Sequence, residues 1–201
     1  MAKKVVGIVG SYRKGRVIDT AVSEILKGAQ NKGAETSKIY LIDKHIEFCT
    51  NCRKCTQEKN AGNRAECVHD DDMKEILDQI DSADVLVLGS PVNFGNVTAV
   101  TKRFLERLIV YVYWRWETKI PKFRIKNMNK KAVTVTSSTC PAWLGRILMR
   151  GSLKELKAAA RCMGAKVVQS LYFGLVALSP DSTLNQKSLR KAYKAGEKLV
   201  S

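Results

Sequence analysis

The sequence predicts an α/β protein: a doubly wound sheet of five parallel strands in the order 2-1-3-4-5, covered by helices on both faces to give three layers. Three observations predict it. Short apolar runs alternate with helix-periodic segments along the chain. The run Asp84–Ser90 (DVLVLGS) leaves no room for polar alternation, as a strand buried on both faces requires. The segments after the first and third strands begin Gly10-Ser11 and Ser90-Pro91, at the strand ends where such sheets bind ligands.

The elements follow in order. Lys4–Gly10 (KVVGIVG) is a continuous apolar strand, and Asp19–Lys32 has helical spacing through Ala21, Ile25, Leu26 and Ala29. Glu35–Ile42 is the second strand, and Asp72-Met-Lys-Glu75 has the form of a capping box opening a helix through Ile76, Leu77 and Ile80. The third strand ends at Pro91, and 98 to about 113 is helical. Lys131–Ser137 is the fourth strand, and Ser152-x-x-Glu155 reads as a cap on a helix that reaches Met163 before Gly164. Val167–Phe173 is the fifth strand, and Asn185–Val200 is an amphipathic helix with Leu189, Ala192, Tyr193 and Leu199 on one face. With no repeat or linker in between, residues 1–201 read as one domain carrying a cysteine-rich loop at 45–70 and a basic aromatic insert at 111–130.

Composition sets the outer limits. At 201 residues, 45% hydrophobic and 27% charged, the chain has material for a substantial core, which excludes low-complexity and disordered classes. No apolar stretch approaches the roughly 18 uncharged residues of a membrane span, and the N-terminus lacks the cleavage pattern of a secretory signal, so the expected location is the cytoplasm with no membrane partner. Lys and Arg number 35 against 19 Asp and Glu, a net charge of +16 that favours encounters with phosphorylated cofactors, acidic carriers, nucleic acid or anionic lipid.

Four segments carry candidate chemistry. Gly10-Ser11-Tyr12-Arg13-Lys14-Gly15-Arg16 joins a buried strand to a helix N-terminus, where backbone N–H groups and the helix dipole favour a phosphate. Ser90-Pro91-Val92-Asn93-Phe94-Gly95-Asn96 runs from a strand end to a helix, so its N–H groups reach the polar edge of a flavin; the bland reading is a strand-to-helix turn. Cys49-x2-Cys52-x2-Cys55 with Cys67 has spacing suited to a [4Fe-4S] cluster. Zinc on Cys52, Cys55, Cys67 and either Cys49 or His69 competes with it, as does a loop of metal-free thiols. The insert YVYWRWETKIPKFRIK at 111–126 interleaves aromatics with cations, which suits single-stranded nucleic acid, a membrane-surface segment or a subunit interface, and its place between the third helix and the fourth strand suits a cover over the bound ligand. No nucleic-acid-binding signature accompanies it, so nucleic acid is not an expected partner. Cys140, His45 and His69 receive no catalytic role, and Cys162 reads as a small buried hydrophobe.

Taken together, Gly10-Ser11-x-Arg13-Lys14-Gly15, Ser90-Pro91-Val92-Asn93-Phe94-Gly95-Asn96-Val97 and the cysteines upstream of Cys67-Val-His-Asp-Asp-Asp-Met73 resemble the flavodoxin-like NAD(P)H-dependent FMN reductases and their iron-sulfur flavoprotein branch, over about residues 4 to 175. The resemblance implies FMN as cofactor and NAD(P)H as substrate. Ser11, Arg13, Lys14, Gly15, Arg16, Val17 and Ile18 would hold the FMN phosphate; Pro91, Val92, Asn93, Phe94 and Gly95 would line the ring edge, and Ser137 and Ser138 would lie beside the ribityl or ring. It also implies electron flow to a small-molecule or protein acceptor, through a [4Fe-4S] cluster on Cys49, Cys52, Cys55 and Cys67 where one is present. The flavin brings its own redox chemistry, so no catalytic acid or base is assigned. A carrier without NAD(P)H activity is the alternative. A homo-oligomer, dimer or tetramer, and an acidic carrier such as ferredoxin are the expected partners. The chain departs from the family pattern at Val17-Ile18, where Asn-Thr is frequent, and at Asn93, where an aromatic is usual. The gap from Cys55 to Cys67 also exceeds that of compact cluster motifs.

Overall fold

The computed structural model describes residues 2–176 and 179–200. Its strands are β1 (Lys4–Val9), β2 (Glu35–Tyr40), β3 (Val85–Gly89), β4 (Val112–Tyr113), β5 (Lys122–Phe123), β6 (Lys130–Ser137) and β7 (Ala165–Phe173). Five of them form one sheet, in the order β2-β1-β3-β6-β7, with every neighbouring pair parallel. Counting only those five, the order is the predicted 2-1-3-4-5. The numbering runs ahead because β4 and β5 make a separate antiparallel ribbon inside the aromatic insert.

Helices α1 (Val17–Gln30), α2 (Lys54–Gln57), α3 (Met73–Ser82), α4 (Ala99–Arg107), α5 (Ala142–Leu148), α6 (Arg150–Cys162) and α7 (Gln186–Val200) complete the chain. Strand side chains alternate between two apolar layers, as the two-residue period dictates. Val5, Val9, Val85, Val87, Val133 and Val135 pack with Ile18, Val22 and Ile25 of α1 and Leu199 of α7. Val6, Ile8, Leu86 and Leu88 face Ile76 and Ile80 of α3, Phe104 of α4 and Leu156 of α6. All five residues of β3 are therefore buried, which accounts for its uninterrupted apolar sequence. Helices α1 and α7 cross in backbone contact: a Cβ on Gly196 would stand 1.9 Å from the Ile25 carbonyl oxygen.

The structure corrects three local expectations. Neither capping box forms. The Asp72 carboxylate accepts the His45 N–H at 2.8 Å instead of capping α3, and Ser152 lies buried inside α6, donating to the Met149 carbonyl at 3.0 Å. The helix expected to run to about Tyr113 stops at Arg107 and tightens into a 3-10 turn over Leu108–Tyr111. Helix α5 has no counterpart among the expected elements; its side chains are mostly exposed, so it lacks the apolar stripe that sequence periodicity detects. Among the described residues, no helix is long and apolar enough to cross a membrane.

Candidate functional site

Strands β1, β3 and β6 are neighbours, so the loops leaving their C-terminal ends share one edge of the sheet. The first two are tied together by buried hydroxyls. Thr98 caps α4, its Oγ1 accepting the Thr101 N–H at 3.2 Å and donating to the Gly10 carbonyl at 2.7 Å. Thr101 Oγ1 stands 3.1 Å from both Gly10 O and Ser90 Oγ, and Ser90 Oγ accepts the Thr98 N–H at 3.2 Å. A Cβ at Gly10 would come within 1.9 Å of Thr101 Oγ1, so only glycine lets the end of β1 approach the start of α4. The Tyr12 hydroxyl adds a bond from the Val100 N–H at 3.3 Å. The segments after β1 and β3 therefore leave the sheet side by side, tied to the start of α4.

The loop after β1 is built around a residue that sequence inspection passed over. Asp19, in the first turn of α1, is buried and accepts the Gly15 N–H at 2.6 Å, Lys38 Nζ at 2.9 Å and the Tyr40 hydroxyl at 3.0 Å. Burial pushes its carboxyl up, but bonds from Gly15, Lys38 and Tyr40 outweigh burial and hold its pKa below the usual aspartate value. Gly15, at φ +70, turns its N–H inward to this carboxylate. Ser11 is buried, and its hydroxyl accepts the Arg13 N–H at 3.1 Å. Arg13 is exposed, whereas Lys14 pairs with Asp43 at 2.5 Å and Arg16 with Asp181. Val17 and Ile18 bury their side chains in the layer beneath α1, so only their backbone N–H groups are at an anion's disposal.

The loop after β3 turns tightly. Asn93 and Asn96 exchange both backbone bonds, and Phe94 and Gly95 take φ values of 47 and 77 between them, leaving the Phe94 ring wholly exposed at the tip. Pro91 and Val92 are half-buried, with the Val92 N–H donated to the Ser137 carbonyl at 2.8 Å. Ser137 is buried; the Ser138 hydroxyl is engaged by the Tyr172 hydroxyl at 2.8 Å and by the Cys140 N–H at 3.2 Å.

The cysteine segment forms a second centre. Its backbone bends sharply, with Asn51 and Arg53 in the left-handed region on either side of Cys52. Burial, followed by the proximity of Cys67, Cys49 and Cys52, pushes the Cys55 thiol up to about 11. The aromatic insert clamps this segment, where sequence had pointed to a flavin cover. The Arg53 guanidinium lies between the rings of Trp114 and Trp116, 4.1 and 4.0 Å from their centres. Trp114 N–H bonds the Thr56 carbonyl at 2.9 Å, and Arg124 donates to the Cys55 carbonyl at 2.9 Å. The physical reason is that a four-residue helix such as α2 cannot hold a loop, so backbone and cation–π contacts from β4 and its turn do so. Beneath lies an ion pair that sequence reasoning also missed. Arg107, 1% exposed, binds Asp71 at 2.5 and 3.2 Å and the Glu47 carbonyl at 2.9 Å. Asp71 was hidden within an acidic run of three, with nothing to single it out.

Residues 3–176 match the model of the NADPH-dependent FMN reductases. The chain belongs to that family. Similar proteins within reach of this family include an iron-sulfur flavoprotein of Archaeoglobus fulgidus, 37% identical over 108 residues, 54% of this chain and 46% of that protein. Another, from Methanosarcina thermophila, is 29% identical over 135 residues, 67% of this chain and 64% of its own length. The chain spans about half the length of the first of these relatives. Among solved structures, an NAD(P)H:quinone oxidoreductase from Methanothermobacter marburgensis superposes with a TM-score of 0.77 at 18% identity, covering 99% of this chain and all of that one. A flavone reductase gives 0.66 at 20% identity, over 98% of this chain and 62% of that one. These two likenesses concern the fold.

Proposed function

We propose that this chain is an FMN-dependent oxidoreductase that passes electrons from NAD(P)H through flavin to a small-molecule or protein acceptor, with a [4Fe-4S] cluster on Cys49, Cys52, Cys55 and Cys67. The observation that carries the flavin reading is the buried lock of Gly10, Ser90, Thr98 and Thr101, which joins the two ligand-binding loops at adjacent strand ends in a member of the FMN reductase family. The phosphate fits there. Ser11, Arg13 and the first-turn N–H groups of Val17 and Ile18 would hold it, with Lys14 and Arg16 adding long-range positive charge; Gly15 serves by its backbone turn, its N–H being given to Asp19. Pro91, Val92, Asn93, Phe94 and Gly95 would flank the ring edge, while Ser137 and Ser138 shape the floor. Bound flavin supplies hydride acceptance and electron release. The chain's own groups bind, orient and shield it.

The cluster is tested on the same terms. A single zinc ion needs its donors to meet at one point, and among the described residues no three His, Cys, Asp or Glu side chains do so. A cubane takes one thiolate at each of four corners rather than at one point, and Cys55 is the thiol that feels the charge of the other three. Buried side-chain nitrogens among the described residues lack a hydrogen-bond partner at Arg53 Nε, His69 Nε2, Arg103 Nε and Arg107 Nε, whereas Arg64 Nη1 has an acceptor in the Asp81 carboxylate at 3.0 Å. These four border the cysteine segment, Arg103 through its stacking on Phe48 and Arg107 through the Glu47 carbonyl. Buried N–H groups are rarely left without acceptors, and sulfide and thiolate sulfurs would provide them. A cavity of about 580 Å³ with Cys49, Leu105, Ile109 and Ala159 in its walls gives a small acceptor room beside the cysteines.

The net charge of +16 suits an acidic electron carrier, and six free thiols suit the reducing cytoplasm. Tyr12, Phe94, Trp143, Ile147 and Leu148 are large apolar side chains left exposed, and we take the working protein to be a homo-oligomer that covers such surface. The test is anaerobic purification followed by visible spectroscopy, iron and acid-labile sulfide analysis and NAD(P)H oxidation. A yellow-brown protein with flavin, about four irons per chain and turnover is expected. Colourless protein that takes up neither FMN nor iron contradicts the proposal.

A further inference from the structure

The orphaned nitrogens around the cysteine segment are unequal, and one is set apart by how firmly it is held. Arg107 sits at the last turn of α4 with its side chain 1% exposed. Both of its terminal nitrogens are engaged, Nη1 by Asp71 and the Glu47 carbonyl and Nη2 by Asp71, while Nε makes no hydrogen bond to oxygen or nitrogen and the Cys67 side chain is the remaining acceptor within reach of the guanidinium. Asp71 is equally fixed: its side chain is fully buried, and it also accepts the N–H groups of Glu47 at 2.8 Å and Met73 at 3.0 Å. The guanidinium therefore has no freedom to move toward or away from whatever lies beside it. What lies beside it is a cavity of about 320 Å³ whose walls include Cys67 and His69, with His69 Nε2 also lacking a partner. A permanent cation thus lines the same small chamber as the fourth cysteine, with that side chain within its reach.

We infer that Arg107 is a positioning residue that sets the reduction potential of the iron–sulfur group held at Cys67, acting as a fixed positive charge and as a donor to sulfur. The inference rests on the cluster reading above. Its sign follows from electrostatics. Reduction adds one electron to the cluster, so a nearby cation stabilises the reduced form and raises the potential, and a nearby anion does the opposite. Burial makes the effect larger than an exposed residue would produce, because solvent does not screen it. Arg107 and Asp71 therefore pull in opposite directions, although both hold the same loop in place.

That opposition separates tuning from scaffolding. Full-length wild-type protein and the variants Arg107→Lys, Arg107→Gln and Asp71→Asn are reconstituted anaerobically, assayed for iron and sulfide, and titrated by EPR-monitored potentiometry, with the flavin potential followed optically as an internal reference. Arg107→Gln is expected to lower the cluster potential and Arg107→Lys to lower it less, whereas Asp71→Asn raises it; the flavin potential stays within error of wild type. If Arg107→Gln does not fold, the lysine and asparagine variants carry the comparison. Cluster potentials that are unmoved, or that shift in the same direction at both residues, overturn the inference. A wild-type protein that binds no iron or sulfide overturns the cluster reading itself, and this inference with it, and the analytical iron content tells that failure from the other.

Discussion

Asp19 shows how a single carboxylate organises the loop after β1 from beneath. It draws the Gly15 N–H inward and gathers Lys38 and Tyr40 from β2, so the loop's shape is fixed by a group that no bound anion replaces. Replacing it by alanine leaves Lys38 without its partner, and Asp19→Ala is expected to lose about 2 kcal/mol of unfolding free energy in urea titrations. The pH dependence has a defined sign. Asp19 and Asp71 are both held below the ordinary aspartate value, against the opposing effect of burial. The stability they contribute is present above their unfolded value of 3.8 and is lost as pH falls through the lowered folded values. Urea midpoints should therefore drop on acidification below about pH 4, and less steeply in Asp19→Asn. Neither aspartate was legible in the sequence, because what marks them is the partner each meets: Lys38 arrives from the neighbouring strand and Arg107 from 36 positions away.

Helix α4 is the element on which both centres depend. Its first turn carries Thr98 and Thr101 to the junction of the loops after β1 and β3, and its last turn carries Arg107 to the cysteine segment, across nine residues or about 13 Å of helix. Thr101→Val strips one hydroxyl from the buried lock; a loss of about 1–2 kcal/mol in thermal unfolding and weaker FMN binding are expected together. The ribbon of β4 and β5 has the complementary task at the cysteines. Trp116→Ala removes one side of the Arg53 sandwich and should speed iron loss to a chelator several-fold without altering flavin content, measured by absorbance decay. Strands and long helices were readable because burial on the sheet is written locally, as an apolar run in β3 or a stripe in α1 and α7. The capping boxes misled because Asp72 and Ser152 found other partners, His45 N–H and the Met149 carbonyl, and local pattern says nothing about such competition. The ribbon was equally invisible, since two-residue strands have no period to detect.

At the scale of the whole molecule, the sheet order brings the loops after β1 and β3 together, and the surface charge decides what approaches them. With a net charge of +16, the rate of reaction with an acidic carrier protein should fall at least tenfold between about 0.05 and about 0.5 M NaCl, whereas reaction with a neutral acceptor should scarcely change. The strand order was legible in the sequence, and with it the two loops that leave the sheet side by side. It did not tell which side chains face a ligand there, and Val17 and Ile18, expected at the phosphate, turn into the core. The central claim is that this end of the sheet grips FMN by its phosphate with Ser11, Arg13 and the first-turn amides of α1. Titrating FMN into flavin-free protein and following the quenching of flavin fluorescence tests it most directly, with Arg13→Ala and riboflavin as controls. Saturable quenching by FMN, weakened about tenfold or more by Arg13→Ala or by removing the phosphate, is the predicted result. Equal affinity for FMN and riboflavin, or no quenching at all, would contradict it.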